Sequence, residues 1–379
     1  MAILLWLTSC WATVMAQGLT RSGLDPQRFD SVMDGTRTAL YTLVNRQGME
    51  ACVTNYGARL VSLVVDGKDC VTGFDNVGDY RRYRQNYGAT VGRYVGRIKG
   101  ARFVLDGMEH RLQENGRGVT SHGGYPGFAD RIWTMTALTD STVTLQYVSA
   151  DGENGFPGEL TVRLTYTVSS RNGLEVSYEA TTTKPTVLNL TNHSFFNISG
   201  RMDREITNET LWVNSRRIAE FDAQKNLTGR MMKVKGTPFD FRKPRRIGDR
   251  IDEDHAQLKV TKGYDHSFVL DTKGNDQKAA AIVTDEASGM QMTVYTTEPV
   301  LHIYTGNGLK GNQVGKEGIR YQRRTGLCLE TQHLADAPNK QHFPSTVLRP
   351  GETWHSKTVF KFTTDPPVMK GVPPVASKK

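Results

Sequence analysis

Four cysteines in 379 residues are too few to staple a fold, and they show neither a Cys-x-x-Cys pair nor zinc-finger spacing. A disulfide-dense scaffold is excluded. Cys10 falls in the first residues. Of the remaining Cys52, Cys70 and Cys328, the first two could pair if adjacent strands carry them, but unpaired, half-buried thiols are the expected state. Beyond the first residues no apolar run is long enough to cross a bilayer, so no transmembrane helix is expected. Helical periodicity is thin, with few windows supporting a helix longer than two turns. A Pro/Ser/Gly-rich linker inside the chain and a repeat of fixed period are also missing, which argues for one large unit.

The signatures of several enzyme classes are missing too. No Gly-x-Ser-x-Gly elbow supports a Ser-His-Asp nucleophile, and no His-x-His or His-Glu-x-x-His spacing supports a metal site. Walker and dinucleotide loops are absent; Gly92-x-x-x-Gly96 does not fit Gly-x-Gly-x-x-Gly and sits in a strand-rich region.

What is present is a globular composition, 37% hydrophobic against 23% charged, which excludes disorder as the main character. The 48 Lys and Arg exceed the 39 Asp and Glu by 9, a balance that could mean an acidic partner. The distribution argues otherwise. The densest basic stretch, Arg230 to Arg250 with Lys243, Arg245 and Arg246, runs straight into Asp252, Glu253 and Asp254, and no basic amphipathic helix is visible. It reads as a solvated surface, so no nucleic-acid partner is expected.

Residues 3 to 16, ILLWLTSCWATVMA, form an uncharged apolar segment of signal-peptide length. Val14-Met15-Ala16 fits cleavage before Gln17, although no Lys or Arg precedes the segment. Residues 1–16 are therefore expected to direct export to a periplasm or beyond; the alternative is a buried first strand or a mis-assigned start, with the protein then cytoplasmic. Leu7-Thr8-Ser9-Cys10 also reads as a lipobox, which would make Cys10 a lipid anchor.

Period-two alternation dominates the rest. Leu160, Val162, Leu164, Tyr166 and Val168 alternate with polar residues, and Leu174, Val176, Tyr178 and Ala180 repeat the pattern after Arg171-Asn172-Gly173. That is an antiparallel hairpin. Thr142 to Val148, Gln291 to Thr296, Val300 to Tyr304 and Thr358 to Phe362 read as further strands, so an all-β antiparallel sandwich spanning residues 22–365 is expected. Residues 366–379, with Pro366, Pro367, Pro373 and Pro374, read as a Pro-rich tail.

Five polar islands interrupt the alternation: Val91 to Ile98, Ser121-His122-Gly123-Gly124, Asn189 to Asn197, Gly263-Tyr264-Asp265-His266, and Gly326 to Gln332. Taken singly, each His or Glu in them has a bland alternative, a hydrogen-bonded structural residue or a solvated one. Together they supply Glu330, His122, His193, Asp265, Arg93 and Arg97, with glycines that allow close approach. Carboxylate and imidazole in that mixture suit acid–base work on a polyhydroxylated substrate. A metal site built from His122, His193, Asp265, His302 and Glu330 is the competing interpretation, and no ligand spacing supports it.

The islands, with Asn55-Tyr-Gly-Ala58, Gly92-Arg-Tyr94, Gly96-Arg97-Ile98, Tyr304-Thr-Gly-Asn307 and Leu329-Glu330-Thr-Gln332, resemble the aldose 1-epimerase (galactose mutarotase) family, in order, from about residue 30 to 362. The resemblance implies a large antiparallel β-supersandwich of the galactose mutarotase type. It implies an enzyme without a cofactor that interconverts the α and β anomers of free aldoses such as galactose and glucose, acting on a monosaccharide as a monomer or weak dimer. By the same resemblance Glu330 is the general base at the C1 hydroxyl, His193 the general acid at the ring oxygen and His122 its assistant. Arg97 and Asp265 then hold sugar hydroxyls, one donating and the other accepting. Arg93, Tyr94 and His266 are expected as supports, and Cys328 as packing beneath the pocket.

Three departures bear on recognition. Gly96 stands where the family commonly has Asn, His302 where a Gln precedes the Tyr-Thr-Gly-Asn segment, and Ser121 where a Leu precedes His-Gly-Gly. Gly96 and His302 thus count among the sugar-site residues, with shifted or relaxed sugar preference expected. A carbohydrate-binding protein that had lost turnover would be expected to lose the acid or the base first, and both are present. A glycoside hydrolase would want two carboxylates across a glycosidic bond, and Asp265 is better explained as a hydroxyl ligand. Asn189, Asn192 and Asn197 each begin an Asn-x-Ser/Thr sequon. Glycans there would crowd the pocket, which favours a bacterial periplasm over a eukaryotic secretory route.

Overall fold

The computed structural model describes residues 18–364 apart from Asp34. The expected signal peptide 1–16, the Cys10 anchor and the tail 366–379 lie outside the described residues. The core is built from two antiparallel sheets. The larger has nine strands, in the order Thr134–Leu138, Thr142–Ser149, Leu160–Val168, Gly173–Thr182, Trp354–Thr364, Met290–Thr296, Ala281–Asp285, Thr210–Val213 and Arg245–Arg246. The smaller has six: Phe195–Phe196, Leu327–Gln332, Val300–Tyr304, Asp265–Leu270, Ser215–Phe221 and Leu227–Lys233. A four-stranded sheet from Leu40–Val44 to Lys68–Asp69 joins the same core.

The alternating segments become the centre of the large sheet. Leu164 pairs opposite Tyr178 and Tyr166 opposite Val176, so the apolar sets of both strands project to one side, as period two requires. They meet Leu301, Ile303, Leu327 and Leu329 of the smaller sheet in one continuous cluster. Burying each such side chain contributes about 1.5–3 kcal/mol. The remaining strands agree with expectation within a residue or two at most ends, except the last, where Trp354–Thr364 extends well before Thr358. Two short helices, Val77–Tyr83 and Ala256–Thr261, are the α-helices among the described residues. No helix among them is long and apolar enough to cross a membrane.

The smaller sheet explains how chemistry enters a core. In Leu327–Gln332 every residue is buried, because both faces are covered. Leu327 and Leu329 point into the core, so Cys328, Glu330 and Gln332 project from the opposite face. The neighbouring strand repeats the scheme, with Leu301 and Ile303 inward and His302 and Tyr304 outward; in the next, Phe268 packs inward while Asp265 and Ser267 face out. Register completes the array. Ser267, His302 and Glu330 lie in one row across three strands, and Asp265, Tyr304, Cys328 and Phe195 lie in the next.

The cysteines Cys52, Cys70 and Cys328 are all free and buried. The sequon asparagines are also engaged inside the fold. Asn192 Nδ2 donates to the Gly88 carbonyl at 2.9 Å and to Tyr166, and Asn197 Nδ2 donates to the carbonyls of Arg201, Arg204 and Thr325. Neither amide is free to carry a glycan in the folded chain. Replacing Leu164, fully buried between the sheets, by Ala is expected to destabilise the protein by about 2–5 kcal/mol. In urea titration the midpoint falls while the slope is unchanged; an unshifted midpoint would contradict the assigned core.

Candidate active site

The outer face of the six-stranded sheet forms one wall of a pocket of about 310 Å³, near the lower limit for small-molecule sites. All seven residues expected at the site line it: Gly96, Arg97, His122, His193, Asp265, His302 and Glu330. They arrive from different elements. Gly96 and Arg97 lie on the approach to and start of Arg97–Lys99, His122 follows Val119–Ser121, and His193 ends Thr191–His193.

At the centre, His193 Nε2 lies 3.6 Å from Glu330 Oε1, and both side chains are almost wholly buried. Cys328 Sγ is 3.6 Å from the other ring nitrogen, Nδ1. The Phe195 ring stacks on the imidazole at 5.0 Å, and the His122 ring meets its edge at 6.0 Å. Burial disfavours charge here. It pushes Glu330 up to about 7, with His302 pulling back and Asp265 adding to the rise. It pushes His193 down to about 3, helped by the neighbouring His122, and His122 down to about 4, helped by His302 and Arg97. The Cys328 thiol is raised well above its usual range by burial and the nearby carboxylates, so it is a neutral partner of His193 rather than a nucleophile. That contact exceeds the packing role expected of it.

His193, Cys328 and Glu330 place ligand-type atoms within 4.8 Å of one another. Yet Cys328 addresses Nδ1 and Glu330 addresses Nε2, on different edges of the ring, and one ion cannot use both nitrogens. The donor set fits proton transfer better than metal binding.

A second group sits beside the first. His302 Nε2 is 2.9 Å from Asp265 Oδ1 and its Nδ1 is 2.9 Å from Ser267 Oγ. Burial opposes the His302 cation, but the hydrogen bond to Asp265 and the charges of Glu330 and Asp265 raise its pKa above the ordinary value. For Asp265, burial favours the neutral acid, yet His302 and Lys225 outweigh it and bring the carboxyl to about 2. Asp265 is thus ionised with one oxygen already engaged, and Oδ2, 3.9 Å from Lys225 Nζ, is left for a ligand. Arg97 is anchored by Nη1 to the carbonyls of Gln224 and Lys225, which leaves the rest of its guanidinium free for hydroxyls.

The supports behave as such. Buried Arg93 donates to the carbonyls of Ser149, Ala150, Pro157 and Gly158, and Tyr94 hydrogen-bonds Leu334 and Thr346. His266 is packed among Phe221 and Phe239, with Nδ1 accepting from the Asp265 amide. His122 adopts φ 53°, a left-handed conformation unusual for a residue with a Cβ, and its amide is held by the Gly96 carbonyl at 2.9 Å. Next to it, a Cβ on Gly123 would lie 2.1 Å from the Gly92 carbonyl oxygen, so only glycine fits.

Several lining residues were given no role beforehand. Ser267 and Gln332 are two positions along their strands from Asp265 and Glu330, so the i, i+2 rule could have found them. Phe221, Lys225 and Leu227 come from the hairpin Ser215–Phe221 to Leu227–Lys233, and no motif marks them.

A sheet-built pocket holding a buried carboxyl, three imidazoles, an ionised Asp and an Arg is suited to acid–base work of the kind a carbohydrate isomerase performs. Residues 39–361 match the family described as Aldose 1-epimerase. Galactose mutarotase of Bos taurus is 38% identical over 317 residues, covering 82% of this chain and 90% of the relative. Aldose 1-epimerase of Escherichia coli K12 is 35% identical over 340 residues, covering 88% and 97%. Among solved structures, galactose 1-epimerase from Lactobacillus acidophilus superposes with a TM-score of 0.80 at 28% identity, covering 88% of this chain and 97% of that one. The chain belongs to the aldose 1-epimerase family.

The departure at Gly96 has a structural cause. Its φ is +79°, and a Cβ there would lie 2.6 Å from the Ala335 Cβ, so the Ala335 methyl occupies the space a side chain would need. Gly96→Asn is expected to destabilise by about 1–3 kcal/mol through overpacking. Adding Ala335→Gly should recover most of that loss in urea titration. A double variant no more stable than Gly96→Asn alone would contradict the steric assignment.

Proposed function

We propose that this pocket interconverts the α and β anomers of free aldoses, galactose and glucose among them, by opening and closing the sugar ring. The juxtaposition of Glu330 and His193 at 3.6 Å in a small pocket, both side chains almost wholly buried, carries the proposal. The Glu330 carboxylate takes the proton of the C1 hydroxyl, the C1–O5 bond breaks with its electrons moving to O5, and O5 takes a proton from His193 Nε2. The aldehyde forms and turns about C1–C2. Closure reverses the roles: His193 removes the C5 hydroxyl proton as O5 attacks the other carbonyl face, and Glu330 returns its proton to O1. His122 assists at the ring oxygen, while Arg97, Asp265 and His302 orient hydroxyls. No cofactor enters any step.

Proton count fixes the pH dependence. The opening step starts from a carboxylate and an imidazolium, which is one proton on the pair. With Glu330 at about 7 and His193 at about 3, the empty pocket holds that one proton below pH about 7, resting on the carboxyl. Transfer to Nε2 gives the reactive form, and Cys328 sulfur is placed to accept the Nδ1 hydrogen of a ring that receives a proton at Nε2. Above pH about 7 the pair loses the proton. Each further unit should then lower kcat/KM about tenfold.

Polarimetry on galactose, glucose, xylose and arabinose tests the proposal. It requires a rate above buffer on at least one sugar, and Glu330→Gln should lose about 10²–10⁴-fold on that sugar while still binding it. No rate on any of the four sinks the activity; a kcat/KM that rises through pH 7 would make the deprotonated pair the active form.

The compartment belongs to the same proposal. Residues 1–16 would export the enzyme to a periplasm, with Cys10 as an optional lipid anchor that fatty-acid labelling would reveal. In the same proposal the enzyme acts as a monomer or weak dimer.

A further inference from the structure

Gln332 lies two residues beyond Glu330 on the same face of its strand, and no step above uses it. Its side chain lines the pocket and is only 2% exposed. Nε2 donates to the His333 carbonyl at 3.2 Å, a carbonyl that also accepts from Asn189 Nδ2 at 3.1 Å. An N–H must face that carbonyl, because the reversed amide would set oxygen against oxygen. The orientation is therefore fixed, and Oε1 is left buried with no hydrogen-bond partner. Buried polar atoms are almost always satisfied in native proteins, so an unpartnered one on a side chain that lines a pocket calls for a donor from the ligand. An aldose is a ring of hydroxyl donors.

The surroundings sharpen the assignment. Asn189 ties Gln332 to the Gly96 segment: its carbonyl accepts from Val95 N at 2.8 Å, and its Oδ1 accepts from His333 N at 2.9 Å. Position 96 offers no polar side chain, and the Ala335 methyl fills its space. Phe221, Leu227 and Ala335 belong to one apolar cluster and also line the pocket. Gln332 thus supplies an uncharged amide acceptor in a pocket whose position 96 supplies none. We infer that Gln332 Oε1 accepts a hydrogen bond from one ring hydroxyl of the sugar and thereby sets which aldoses the pocket accepts. The inference rests on the sugar-isomerase reading of the site.

The test measures kcat and KM by polarimetry for wild type and Gln332→Met, on the better of galactose and glucose and on its 2-, 3-, 4- and 6-deoxy analogues, with thermal melting of both proteins. Gln332→Met should lower kcat/KM on the parent sugar about tenfold, the size of one neutral hydrogen bond, with melting unchanged. For the one analogue that lacks the partner hydroxyl, wild type and variant should be equal. An undiminished parent rate, or the same loss on every analogue, overturns the inference. Wild type inactive on all sugars overturns the activity instead; binding of the same analogue set, followed by ligand-observed NMR, then decides the Gln332 contact on the same criterion.

Discussion

A carboxyl and an imidazole 3.6 Å apart, both buried where charge is unfavourable, form the constraint around which this molecule is arranged. In water the pair would hold its proton on the imidazole, because the ordinary pKa of His, about 6.5, exceeds that of Glu, about 4.3. Burial inverts the order, raising Glu330 to about 7 and lowering His193 to about 3. The resting pair stays neutral, with its one proton on the carboxyl. A surface pair could not be tuned this way, since solvent would restore the ordinary values.

Two covered faces make that burial achievable. The six-stranded sheet lays Leu327, Leu329, Leu301 and Ile303 against the nine-stranded sheet, and that packing holds the strand backbones from which Glu330, His302 and Asp265 project on the other side. Cross-strand register sets His302 opposite Glu330 and Ser267 opposite His302, so the row is positioned by ladder hydrogen bonds rather than by mobile loops. His193 reaches the row from Thr191–His193, which pairs with Ala89–Val91, and His122 reaches it from a turn held in a left-handed conformation. Gly123 lets its backbone cross that of Gly92, and the glycines at 92 and 96 leave room for the side chains of Leu190, Phe128 and Ala335.

Much of this was legible in the sequence. Period two marked Leu160 to Val168 and Leu174 to Ala180 as strands because alternation is a local property. The polar islands named six of the seven expected pocket residues because glycine, histidine and carboxylate clusters interrupt that alternation; His302, inside a strand, was marked only by its departure from the family pattern. Less legible were features set by packing across the chain. Lys225, Phe221 and Leu227 sit on a hairpin with no motif, and they reach the pocket through its pairing with Asp265–Leu270 and the grip of Arg97 on the turn at Gln224 and Lys225. The engagement of Asp265 by His302 depends on strand register, and the obstruction at Gly96 depends on Ala335, far along the chain. No local pattern encodes either.

The inverted proton affinity of Glu330 and His193 can be seen without any substrate. Infrared difference spectra between wild type and Glu330→Gln, taken across pH, isolate the carbonyl stretch of the protonated Glu330 carboxyl. That band should be present at pH about 5 and titrate away with a midpoint near 7, the value to which burial raises the group. A carboxylate already ionised at pH about 5, with a midpoint near the ordinary 4.3 or so, would contradict a neutral resting pair.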